Sequence, residues 1–203
     1  MRAFYEHVGL KTTLTYLAFR ELVPIDATFI TSFFLFPNLV TLTRLSKCPE
    51  AVGCTLALTN QDVVQISAAL PRLQRLELVY PCSNNTYRTT VSCLLAMSVD
   101  CEDLFKLRIH LNTANFIDDI RSLPEDPNLR DLRSLPTRCP LVDVYAARLP
   151  FPPNPSDRDI ATIATGLIGI FPSLCDIHSL LCRGWLLVQS RAREFHESAT
   201  SHV

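Results

Sequence analysis

A nine-residue stretch, Leu70-Pro71-Arg72-Leu73-Gln74-Arg75-Leu76-Glu77-Leu78, constrains this chain more than any other feature, because its plan of a proline followed by L-x-x-L-x-L recurs with a helical segment before it. Its echoes are Leu39 and Leu42; Leu104, Leu107 and Ile109; Leu141, Val144 and Ala146; and Leu174 and Ile177. The first leucines of successive copies, Leu39, Leu73, Leu104, Leu141 and Leu174, are 34, 31, 37 and 33 residues apart. A loose but persistent period of this length signals a repeat architecture in which each unit buries its apolar face against its neighbours. A shorter copy lies at Leu14, Leu17 and Phe19, 25 residues before Leu39. The expectation is a single domain over residues 1–203, an α/β solenoid of about five to six irregular repeats.

Composition narrows the classes of activity. The 48% hydrophobic content suits a folded chain, and a formal net charge of -1 supplies no long-range attraction for nucleic acid or an anionic membrane. Neither is expected as a partner. The eight cysteines are scattered through the repeats without a C-x-x-C pair, and the first residues lack the apolar run of a secretory signal. Reduced thiols in cytosol or nucleus are therefore expected, and the sequon Asn84-Asn85-Thr86 would escape glycosylation there. Two charge-free windows, residues 27–43 and 160–175, fall short of the roughly 18 to 20 apolar residues of a membrane span. Pro37 and Pro172 instead divide helix from strand.

Taken in order, residues 14–19 read as a strand with nothing before it long enough to act as an end cap, so the chain is expected to begin mid-structure, as a fragment would. Asp26 opens a helix carrying Phe29, Ile30, Phe33, Phe34 and Phe36, which Pro37 stops before a strand at 38–43. Residues 46–52 form a loop. Thr59-Asn60-Gln61-Asp62 resembles a capping box, followed by an inner face of Val63, Ile66, Ala69 and Leu70 and a strand at 73–79. Val91, Leu94, Leu95 and Ser98 mark the next inner face, with Asp100-Cys101-Glu102-Asp103 in place of the proline joint and a strand at 104–110. Phe116, Ile117 and Ile120 start a helix that Pro124, Pro127 and Pro136 interrupt. A weak strand at 141–146 and an extended linker at 149–155 follow. Ser156 and Asp159 open a helix with Ile160, Ile163, Leu167 and Ile170 inward, closed by Phe171-Pro172. Trp185 and the charged stretch 191–197 suit a C-terminal cap, Trp185 covering the last repeat together with Phe195, with residues 198–203 frayed.

Side chains alternate across a strand, so the leucines of L-x-x-L-x-L point inward and the residues between them line the opposite face. This rule turns Tyr16 and Ala18, Thr41 and Thr43, Arg75 and Glu77, Lys106 and Arg108, Asp143 and Tyr145, and Asp176 and His178 outward. Arg75, Glu77, Lys106, Arg108, Asp143, Tyr145, Asp176 and His178 are the expected partner-binding residues, because mixed charge with Tyr and Arg suits a protein interface. The competing reading is an ordinary solvated sheet face.

Phe36-Pro37-Asn38-Leu39, Leu70-Pro71-Arg72-Leu73, Cys139-Pro140-Leu141 and Phe171-Pro172-Ser173-Leu174, with helices such as that at 159–170 between them, resemble the leucine-rich-repeat region of F-box proteins from mushroom-forming fungi. The resemblance covers roughly residues 14–195. It implies a leucine-rich-repeat solenoid, a horseshoe fragment with a parallel sheet on its concave face and helices outside. It also implies that the repeats hold a protein substrate for a ubiquitin ligase. In that family an F-box upstream of the repeats docks on the ligase adaptor. No leucine- and proline-rich segment of that kind precedes the first strand here, so only the substrate-holding half carries over.

Enzymatic readings have little to build on. Five glycines and the lack of G-x-G-x-x-G, G-x-x-x-x-G-K or G-x-S-x-G leave no phosphate-cradling loop or nucleophile elbow, and no cofactor is expected. Cys175-x-x-His178-x-x-x-Cys182 has metal-ligand residue types but no fourth ligand nearby, and repeat packing is the simpler account. A thiol nucleophile would pair Cys101 or Cys139 with His110, though nothing in the sequence brings them together. The acids at 118–119 and 100–103 fit capping and solvation. The expected activity is binding of a protein whose identity the sequence leaves open, with a ligase-independent scaffold as the alternative and a thiol or hydrolytic enzyme behind both.

Overall fold

The computed structural model describes residues 13–19, 27–44, 58–78, 88–109, 111–112, 115–123, 143–145, 155–174, 176–178 and 183–200. Six strands, β1 (Tyr16–Phe19), β2 (Thr41–Arg44), β3 (Arg75–Glu77), β4 (Lys106–Arg108), β5 (Asp143–Tyr145) and β6 (Asp176–His178), form one sheet in the order β1-β2-β3-β4-β5-β6. Every neighbouring pair is parallel. The intervening helices are α1 (Ala27–Phe33), α2 (Asn60–Ala69), α3 (Ser92–Asp100), α4 (Phe116–Ser122) and α5 (Asp157–Ile170), and α6 (Arg183–Thr200) follows β6. Parallel strands taken in sequence order and joined by right-handed crossovers place the connecting helices on one face of the sheet. A strand forms at every expected place: β1 takes the last four residues of 14–19, β2 runs one residue past 43, and β3, β4 and β5 lie within 73–79, 104–110 and 141–146.

The register follows the leucines. Leu17, Leu42, Leu76, Leu107, Val144 and Ile177 are aligned across the six strands. Leu42, Leu76, Leu107 and Ile177 are buried in a core shared with Ile30, Val63, Ile66, Leu94, Ile163 and Leu167 from the helices. A one-residue slip would turn this column out and the charged residues in, which fixes the pairing. The ladder begins before the strands proper, with Val40 N–H donating to Thr15 O at 2.8 Å, Gln74 to Val40 O at 2.8 Å and Phe105 to Gln74 O at 2.9 Å.

A recurring turn joins helix to strand. Leu39 N–H donates to Phe36 O at 3.0 Å, Leu73 to Leu70 O at 3.0 Å, Leu104 to Cys101 O at 3.1 Å and Leu174 to Phe171 O at 3.0 Å. Pro37, Pro71 and Pro172 occupy the second turn position, where a fixed φ is favourable and no N–H is needed. Cys101-Glu102-Asp103-Leu104 makes the same turn without proline. Both expected capping boxes form: Asp62 N–H donates to Thr59 Oγ1 at 3.2 Å and Thr59 N–H to Asp62 Oδ2 at 2.8 Å, with the Ser156–Asp159 pair repeating the arrangement.

Polar contacts lock α2 to α3 at both ends. The Asn60 side chain donates to Thr90 Oγ1 at 2.9 Å and Ser92 Oγ at 2.8 Å and accepts from Thr90 N–H at 2.7 Å. At the other end Ser67 Oγ donates to Asp100 Oδ2 at 2.6 Å. The expected inner face of α3, Val91, Leu94, Leu95 and Ser98, is buried, and Cys93, Ala96 and Met97 are buried with it, because α2 and α5 pack on the helix as well as the sheet. One expectation needs correction. Helix α6 continues through residues 198–200, where fraying was expected, and Ser198 Oγ donates to Glu194 O at 2.8 Å. The loop at 46–52, the linker residues 149–154, the proposed cap Asp26 and residues 201–203 lie outside the described residues. No helix among those described is long and apolar enough to cross a membrane.

Candidate functional site

On the sheet face away from the core, the register aligns Tyr16, Thr41, Arg75, Lys106, Asp143 and Asp176 as one row. Ala18, Thr43, Glu77 and Arg108 form a second, and Tyr145 lies beside His178. Neighbouring strands are about 4.8 Å apart. Asp143, Tyr145 and His178 are placed here by backbone register alone.

The centre of the face is an ion cluster around Glu77, which is only 7% exposed. Arg75 reaches its Oε1 through Nε at 2.6 Å and Nη2 at 2.5 Å. Lys106 Nζ stands 4.0 Å from the same oxygen, and Arg108 Nη1 is 3.5 Å from Oε2. A buried carboxylate is tolerated only when charges and donors surround it, and here three cations do so. The cations stay partly exposed, Arg75 most at 41% of its side chain. Glu77 therefore positions the cluster and the cations present it. Beside it, Thr43 is 2% exposed and its Oγ1 has no hydrogen-bond partner among the described residues.

The far end of the first row is occupied differently. The Asp176 carboxylate accepts from the Gln189 side chain and, at 3.2 Å, from Arg193 Nη2, both on α6. The C-terminal helix thus holds one of the residues expected to meet a partner. At the opposite end Tyr16 is 59% exposed.

Sequence alternation brought Arg75, Glu77, Lys106 and Arg108 to one face, and the structure draws them into contact. The burial of Glu77 had one available signal, since Arg75 and Glu77 are i, i+2 neighbours of opposite charge on a strand. The capture of Asp176 had none: Gln189 and Arg193 share a helix face, but nothing in the sequence ties that face to β6.

The cysteines of the described residues sit in packing positions. Burial pushes the Cys93 thiol up to about 12, and its Sγ lies 3.1 Å from Thr90 O. Cys101 is buried, with Sγ 3.7 Å from Leu70 O. A nucleophilic thiol needs the reverse, a lowered pKa and access. Cys139, His110, Cys175 and Cys182 lie outside the described residues. Trp185 packs edge-on against Phe116, with ring centroids 5.6 Å apart, whereas Phe195, expected to share its cap, is exposed.

Compared with known proteins, the chain matches no family model and no curated protein.

Proposed function

We propose that the chain is a leucine-rich-repeat solenoid that holds a protein partner on its charged sheet face. The observation that carries this reading is the alignment of Tyr16, Thr41, Arg75, Lys106, Asp143 and Asp176 in one row, with partly exposed cations at its centre. Parallel strands in sequence order, four of them (β2, β3, β4 and β6) preceded by the same turn, support the solenoid. The proposed activity is binding rather than turnover, in cytosol or nucleus. A link to a ubiquitin ligase rests on the sequence resemblance and would require an F-box from an upstream segment or another chain.

Photo-crosslinking tests the face. Benzoylphenylalanine at Tyr16, placed in the full chain, should crosslink a discrete partner in cell extract. The same group at Gln65, exposed on α2, should not. Crosslinking from Gln65 with none from Tyr16 would move the binding surface to the helices. Recovery of a ligase adaptor with the partner would support the ligase link, and its consistent absence would leave a free scaffold.

A further inference from the structure

We draw no further inference here: the strongest candidate, the exposed apolar surface patch of Leu187 and Phe195 on α6, carries nothing because no feature among the described residues shows what covers it.

Discussion

Thr43 and Glu77 are register partners on β2 and β3, and their surroundings predict opposite responses to the loss of a polar group. Glu77→Gln removes a negative charge that three cations contact and should cost about 2 kcal/mol in urea unfolding, the scale of hydrogen bonds to a charged group. Thr43→Val removes a buried hydroxyl that has no partner among the described residues and should be neutral or stabilise by about 1 kcal/mol. A loss of stability in Thr43→Val would mean that the hydroxyl is satisfied in solution. Two carboxyls on the helices set the pH response. Hydrogen bonds from the Ser156 hydroxyl and backbone lower the pKa of Asp159, with Arg121 adding a smaller pull. Its stabilising share is therefore complete above the ordinary carboxylate range and is lost as pH falls through the folded value. Burial raises Asp119, and the charge of Asp118 raises it further, so its contribution has the other sign: present at low pH and lost as pH rises through the folded value. Asp159→Asn should flatten the acid limb of a stability profile, and Asp119→Asn should be neutral or stabilising at neutral pH. A profile unchanged in both variants would contradict these assignments.

Among the elements, α5 carries a controlled comparison in its two glycines. A Cβ on Gly166 would lie 2.5 Å from Ile120 Cγ2 of α4, a β-branched side chain in the core with little room to retreat. A Cβ on Gly169 would meet nothing within 4 Å. Gly169→Ala should therefore gain about 0.5 to 1 kcal/mol from helix propensity, whereas Gly166→Ala should lose about 1 to 3 kcal/mol to overpacking. Thermal unfolding separates the two, and equal shifts would show that α4 moves aside. Elements of this kind were readable in the sequence wherever a local rule set them: the capping residues Thr59 and Ser156, the prolines of three turns, and the inward leucines whose period gave the sheet its register. The same alternation turned Arg75, Lys106 and Arg108 to one face. What the rules missed depends on distant neighbours. Helix α3 buries more than one stripe because two other helices press on it. Trp185 finds Phe116 rather than Phe195, and Asp176 is held by a helix whose docking no residue pattern records.

For the molecule as a whole, α6 solves the problem of the last strand. An edge strand offers unpaired N–H and C=O groups to any other chain, and proteins commonly cover such an edge. Here one side of α6 inserts Trp185, Val188 and Ala192 into the core. The adjoining side brings Gln189 and Arg193 to Asp176, and His196 lies 2.9 Å from Leu174 O. Both sets of contacts serve one end of the sheet, so they should be lost together. Ending the chain at Cys182 removes the cover, exposes the Phe116 ring that Trp185 packs against and frees the β6 edge. The shortened protein should unfold at lower temperature and self-associate with rising concentration in light scattering, since strand pairing between two copies would satisfy the exposed edge. Trp185→Ala, which leaves the edge contacts of Gln189, Arg193 and His196 in place, should lose about 3 to 5 kcal/mol of stability but remain monomeric while folded. The contrast separates core packing from edge protection. A shortened chain that stays monomeric at its original melting temperature would show that α6 is an appendage and that the sheet ends safely at β6 without it.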